Sequence, residues 1–272
     1  MLGPFRGIGN LRQLLWSEWE RIHARERAPA GPLSRTPLVV LTSAVVLLAL
    51  LEYFGKAPYL GQWLGALERG GGTLAPWAGG VRGGPYFELW SCAYWALSCF
   101  VCDLLLPALL VRLVLKERVA GYGLSPRAAL GHGRLYLVCY LAVLPLVVLA
   151  SFGAGFQRTY PFYSQAGRSA FDFVVFESLY ALQFLSLEFF FRGYLLHSLK
   201  RHLGAYAIFV MTVPYVMIHF GKPFPETLGA VAAGLALGTL SLSTGSIWGG
   251  VLIHVAVALT MDVLALWQRG VI

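Results

Sequence analysis

Long apolar runs recur along the chain and are separated by shorter polar stretches. Four of these runs are almost free of charged residues, and three others of similar length each contain ionisable residues. Each run comes close to the roughly 20 residues that an α-helix needs to cross the hydrocarbon of a bilayer. The pattern therefore predicts about seven membrane helices, over residues 37–53, 89–113, 135–151, 173–196, 203–220, 227–242 and 247–266.

Composition supports this interpretation of the pattern. Hydrophobic residues make up 57% of the 272 residues and charged residues only 12%, whereas soluble domains carry about 25% charged residues. Open strands cannot span lipid because their backbone groups would be unpaired, and the sequence lacks the alternating segments of a membrane barrel. We therefore predict an all-α fold, a polytopic transmembrane helical bundle that forms a single domain over residues 37–272.

The first 36 residues follow a different pattern. Apolar residues recur there at helical spacing: Ile8, Leu11, Leu15, Trp19 and Ile22. Arginines occupy the other faces: Arg12, Arg21, Arg25 and Arg27. This arrangement predicts that residues 1–36 form a cytoplasmic segment with an amphipathic helix at the membrane surface. A cytosolic stub without a role of its own is the alternative.

The distribution of the net charge of +8 indicates a topology. Lys and Arg concentrate in residues 1–36, in the connection 112–134 and at Lys200 and Arg201. If seven helices alternate, these places lie on one side of the membrane, as the positive-inside rule requires. The N-terminus is then cytoplasmic, and residues 55–85 and 155–169 are outward loops. The partner that this charge implies is the lipid bilayer and not a nucleic acid.

Ionisable side chains inside spanning helices are functional candidates, because each costs roughly 2.5–3.5 kcal/mol to insert. The candidates of this kind are Asp103, Glu177, Glu188, Arg192, His219, His254 and Asp262, with Glu226 at the edge of a span. Glu188 and Arg192 are four residues apart and can pair along one helix face. The pair either neutralises the helix for insertion or serves chemistry, since a buried pair is often no more stabilising than apolar residues.

Two histidines on other predicted helices could complete a site with Glu188. His219 precedes the string Gly-Lys-Pro-Phe-Pro-Glu, which cannot continue a regular helix and predicts a polar pocket near Lys222 and Glu226. A carboxylate with an imidazole can activate water for attack on an amide, and a further imidazole, from His254, can stabilise the oxyanion. Two histidines and a carboxylate could equally bind zinc, although the sequence has no His-Glu-x-x-His motif.

Three strings on separate predicted helices carry these residues. They read Glu-Phe-Phe-Phe-Arg at 188–192, Tyr-Val-Met-Ile-His at 215–219 and His-Val-Ala-Val-Ala at 254–258. They resemble Glu-Glu-x-x-x-Arg, Phe-x-x-x-His and His-x-x-x-Asn, the signatures of the CAAX-protease and bacteriocin-processing (CPBP, Abi) family of intramembrane endopeptidases. The resemblance covers about residues 170–266, the expected catalytic-type core. Each string departs from its signature once, as in a divergent branch: Leu187 replaces Glu, Tyr215 replaces Phe and Ala258 replaces Asn.

The resemblance implies an intramembrane glutamic-type endopeptidase of a bacterial inner membrane. Its substrate would be a membrane-associated peptide or protein, and it would need no bound metal. Glu188 is expected to activate water with His219, while Arg192 orients Glu188 and His254 helps to bind the oxyanion. The residues expected to contact substrate are Tyr215, Lys222, Glu226 and Asp262.

Other functions remain open at this point. Leu187 and Ala258 favour a catalytically inactive membrane protein that binds a peptide, such as an immunity or scaffold protein. A zinc-dependent intramembrane protease is the rival mechanism. A small transporter would use the buried charges as an ion path, but the sequence shows no internal repeat.

Overall fold

The computed structural model describes residues 6–28 and 34–272, and for residues 6–12 it describes the backbone alone. About 80% of the chain is helical, and the described ranges contain no strand. Six helices are long and apolar enough to cross a membrane: α2 (Arg35–Gly55), α5 (Phe87–Val114), α7 (Gly133–Ser151), α9 (Ala170–Leu203), α11 (Phe224–Thr244) and α12 (Trp248–Gln268). The predicted all-α polytopic bundle is therefore confirmed, and the protein is a multi-pass membrane protein.

Shorter helices connect and flank the long ones: α1 (Arg6–Glu26), α3 (Pro58–Gly70), α4 (Ala75–Arg82), α6 (Pro126–Leu130), α8 (Ala154–Thr159) and α10 (Tyr206–Met217). The prediction that 55–85 is a loop is wrong, because α3 and α4 occupy most of it. Glu68 and Arg82 join these two helices by an ion pair at 2.7 Å. Pro58 starts α3 at a position where a proline costs no hydrogen bond.

The predicted span over 203–220 is also corrected. The helix in this region, α10, has only 12 residues and is about 18 Å long, which is short of the roughly 30 Å of bilayer hydrocarbon. Gly204, with a φ of +57°, separates α10 from α9, and Gly221, with a φ of +90°, lies in the turn that follows. Both values lie in the left-handed region that favours glycine, so the backbone bends at each end of α10.

Helix α9 forms the centre of the bundle. Residues 186–199 of α9 are all buried, and the helix packs against α2, α5, α10, α11 and α12. Its turns widen to π-helix over Phe189–Leu196, directly after Glu188. Wide turns of this kind are rare in long helices and occur frequently at functional sites. The string 188–192, with its two charged residues, thus lies in the middle of the core.

Helix α1 lies against the ends of the membrane helices. Trp19 donates a hydrogen bond to Thr239 at 2.9 Å, Ile22 is fully buried and Arg25 donates to the Leu242 carbonyl. Leu14 and Trp16 are exposed, so the described part of α1 has a second apolar face. Its place at the membrane surface and the division at residue 36 stay predictions. The side chains of Ile8, Leu11 and Arg12 lie outside the described residues.

Candidate active site

Glu188 and Arg192 form the predicted pair at the start of the wide turns of α9. The guanidinium Nη1 lies 3.0 Å from Glu188 Oε1, and neither side chain is exposed. No other acid approaches the guanidinium within salt-bridge distance in the described ranges. Two buried opposite charges at this distance attract strongly, which accounts for how a carboxylate is kept in the core.

His254 brings helix α12 to the same carboxylate. Its Nδ1 lies 2.8 Å from Glu188 Oε1, and 16% of its side chain is exposed. The N–H is not aligned on the oxygen, so the contact is a close charge contact and not an ideal hydrogen bond. The imidazole stacks on Phe184 with ring centroids 5.2 Å apart. His254 is thus the member of the cluster that reaches the surface, while Glu188 lies behind it.

Tyr215, from α10, connects these residues. Its hydroxyl lies 3.0 Å from His254 Nε2, and the Arg192 guanidinium sits over its ring at 4.0 Å from the centroid. Only 1% of the residue is exposed. Its predicted contact with substrate stays a prediction, and in this arrangement its side chain contacts Arg192 and His254.

His219 lies in the turn after α10, beside Tyr215. Its Nδ1 donates to the Tyr215 backbone carbonyl at 2.8 Å, and the two rings are 4.9 Å apart. Burial, helped by the positive charge of Lys222, lowers the pKa of His219 to about 4. The ring is therefore neutral at physiological pH, with its proton on Nδ1 and Nε2 open as an acceptor.

Lys222 and Glu226 lie beside the turn that bears His219, as predicted, and they bind a residue that the sequence analysis missed. Both carboxylate oxygens of Glu226 accept from the Tyr160 hydroxyl, at 2.7 and 2.8 Å. Lys222 Nζ lies 2.7 Å from Glu226 and 5.3 Å from the centre of the Phe162 ring. The aromatic string 155–169 was the available signal for Tyr160, but no local pattern named its partner.

Asp262 lies two turns beyond His254 on α12 and is completely buried. No contact in the described ranges joins it to the Glu188–His254 cluster. Its predicted contact with substrate stays a prediction, and in this arrangement the side chain does not reach the surface.

Gly250 is a second residue that the sequence analysis missed. It lies one turn before His254, and a Cβ built on it would collide with the Glu188 carboxylate. Because Gly250 has no side chain, the first turn of α12 leaves a slot for the Glu188 carboxylate of α9. The helix dipole favours negative charge at this end of α12. A Gly-Gly pair one turn before a functional histidine was the signal in the sequence.

Three contacts make a continuous path from Arg192 through Glu188 and His254 to the Tyr215 hydroxyl. A carboxylate, an imidazole and a hydroxyl follow in the order used by hydrolytic triads, although here the hydroxyl belongs to a buried tyrosine. In the described ranges, no group of three His, Cys, Asp or Glu side chains is placed to hold a metal ion. In this arrangement the cluster can stabilise a buried charge, orient two imidazoles and accept a proton.

A buried carboxylate paired with arginine and histidine in the core of a membrane bundle defines a candidate intramembrane hydrolase site. Residues 170–260 match the family model described as Rce1-like, type II CAAX prenyl endopeptidase, and this match confirms the resemblance seen in the sequence. The match supports a peptide hydrolase of the membrane in general. Neither a curated protein nor a solved structure is matched by the chain.

Proposed function

We propose that the chain is an intramembrane glutamic-type endopeptidase that cleaves a membrane-associated peptide or protein, with Glu188 and His219 together activating the attacking water. The observation that carries the proposal is the convergence of Glu188, His254 and Tyr215 from three helices, within the segment that matches an endopeptidase family.

In this proposal His219 takes the proton of the attacking water on its open Nε2 and returns it to the leaving amine. The lowered pKa of His219 supports this role, because the base is neutral at physiological pH. Glu188 is covered by His254 and Tyr215, so it does not meet the water directly in this arrangement. It acts through the His254 ring, which it holds and polarises, much as the acid of a triad acts through its histidine.

The sequence-based role of His254, binding the oxyanion, needs one of its two ring nitrogens to be free. One faces Glu188 at 2.8 Å and the other faces the Tyr215 hydroxyl at 3.0 Å. We therefore assign His254 to a positioning role, in which it links the Glu188 carboxylate to the Tyr215 hydroxyl. Oxyanion binding by His254 would require that it release one of these partners.

One observation favours the second candidate, a catalytically inactive membrane protein that binds a peptide. Leu187 occupies the place of the first Glu of the family signature and lies in the apolar core, while Glu188 and Arg192 have no exposed surface. In that case the same cluster would act as a rigid wall of a binding site. The two candidates differ in whether peptide bonds are cut.

The test is cleavage of a library of membrane-anchored peptides by the protein reconstituted in lipid, followed by mass spectrometry. Wild type is compared with Glu188→Gln, His219→Ala and His254→Ala, each with and without a metal chelator. Asp103→Asn is the matched control, because it removes a buried membrane carboxyl that has no salt-bridge partner in the described ranges.

We expect cleavage to fall at least about 100-fold in the three site variants and to be unchanged in the control and with chelator. Loss of cleavage with chelator alone would move the mechanism to a zinc protease. Binding of peptides without any cleavage by wild type, weakened by the same variants, would establish the binding protein instead.

A further inference from the structure

Tyr215 contacts three charged or titratable residues of the candidate site: Arg192, His254 and His219. Its ring lies under the Arg192 guanidinium at 4.0 Å, its hydroxyl meets His254 at 3.0 Å, and its backbone carbonyl accepts from His219 at 2.8 Å. These are three chemically different contacts made by three parts of one residue. The hydroxyl contact can therefore be removed while the ring and the carbonyl are kept.

Glu188 and the Tyr215 hydroxyl together set the position of the proton on His254. A carboxylate oxygen can only accept, so the ring nitrogen that faces Glu188 is favoured as N–H. In the neutral ring the other nitrogen, Nε2, is then the acceptor, and the Tyr215 hydroxyl donates to it. If the hydroxyl were absent, nothing at Nε2 would hold the ring in this tautomer.

The backbone carbonyl does the same for His219. A carbonyl oxygen accepts, so Nδ1 of His219 carries the proton and Nε2 is left open. One residue thus contacts both imidazoles, and in each of them Nε2 is the acceptor nitrogen: the Tyr215 hydroxyl contacts it in His254, and it is left open in His219. The family signature has phenylalanine at this position, so the hydroxyl is a departure from that signature.

We propose that Tyr215 is the positioning residue of the site, which fixes the tautomers of His254 and His219 at once. The consequence for catalysis rests on the proposed function, whereas the consequence for the proton on His254 does not. The hydroxyl sets His254 with its N–H toward Glu188. The carbonyl holds His219 with its open nitrogen available for water, and the ring shields the Arg192–Glu188 pair from solvent.

Tyr215→Phe separates these contributions, since it removes the hydroxyl and keeps the ring and the carbonyl. Tyr194→Phe is the matched control. Tyr194 is also fully buried, and its hydroxyl makes a hydrogen bond of 2.7 Å to Ser43, away from the site. Both variants lose one buried hydroxyl, so a general loss of stability would affect both.

The experiment has two readouts. Nitrogen NMR of histidine-labelled protein in micelles reports the tautomer of His254, whose signal is assigned with His254→Gln. Steady-state kinetics report kcat and KM on a peptide that wild type cleaves. We expect Tyr215→Phe to turn His254 from a single Nδ1–H tautomer into a mixture and to lower kcat roughly tenfold at unchanged KM. Tyr194→Phe should leave both readouts unchanged.

An unchanged His254 tautomer in Tyr215→Phe would overturn the inference, whether or not wild type cleaves peptides. An equal fall of kcat in Tyr194→Phe would also overturn it, because the effect would then be one of general stability. If the tautomer shifts but wild type cleaves nothing, the positioning of His254 stands and the proposed function fails.

Discussion

Replacement of Arg192 by methionine tests how much the buried ion pair contributes to the free energy of unfolding. Arg192→Met keeps an unbranched side chain of similar length but leaves Glu188 charged and without its cation. With charges 3.0 Å apart and an effective dielectric constant of about 20, the lost attraction is roughly 5 kcal/mol. Removing one partner of a buried pair costs about 3–5 kcal/mol, and the lost stacking on Tyr215 adds about 1–2 kcal/mol.

We therefore expect the free energy of unfolding to fall by about 4–7 kcal/mol in Arg192→Met, measured by SDS titration from mixed micelles and followed by circular dichroism. The double variant Glu188→Gln/Arg192→Met should recover most of this loss, because no unpaired charge is then buried. Arg82→Met is the control. Its ion pair with Glu68 is 45% and 46% exposed, and exposed pairs contribute at most about 1 kcal/mol.

The reasoning would be refuted if Arg192→Met were no less stable than Arg82→Met. It would also be refuted if the double variant were as unstable as the single one, because the cost would then come from lost packing and not from an unpaired charge.

Three further predictions concern the site. Gly250→Ala puts a methyl group against the Glu188 carboxylate and should lower kcat by roughly tenfold or more. In Gly229→Ala the added methyl group has no neighbour, so kcat should not change. Equal kinetics in the two variants would contradict the claim that Gly250 makes room for Glu188. Because the pKa of His219 is lowered from 6.5 to about 4, the acid limb of the kcat/KM profile should lie near pH 4, and an acid limb near 6.5 would exclude His219 as the base. The free energy of unfolding should fall as the pH drops from about 6.5 toward 4, since only the unfolded chain takes up the proton in this range. Glu226→Gln weakens the contacts to Tyr160 and should raise KM more than it lowers kcat, and a kcat loss as large as in Glu188→Gln would make Glu226 the carboxylate instead.

The long helices could be predicted because the length of an apolar run is itself the physical requirement for crossing a bilayer. The Glu188–Arg192 pair could be predicted for a similar reason, since a spacing of four residues places two side chains on one helix face. The helical spacing of Leu60, Leu64 and Leu67 was also visible in 55–85, and it is a signal for helix α3 in a segment that the alternation of spans assigned to a loop.

Other features depend on contacts between distant parts of the chain. Nothing near His254 in the sequence names Glu188 as its neighbour, because the two meet only when α9 packs on α12. The apolar run 203–220 is continuous, yet the backbone at Gly204 and Gly221 confines the helix to Tyr206–Met217. The Tyr215 hydroxyl is a small departure from the family signature, and its contact with His254 could be recognised only in the folded structure.

The most direct test of the central claim is a single-turnover comparison of wild type with Glu188→Gln on one membrane-anchored peptide, in lipid, at saturating enzyme. The account predicts that the peptide still binds while the rate of cleavage falls at least about 100-fold. A cleavage rate unchanged by Glu188→Gln would contradict the claim that this buried carboxylate drives the hydrolysis.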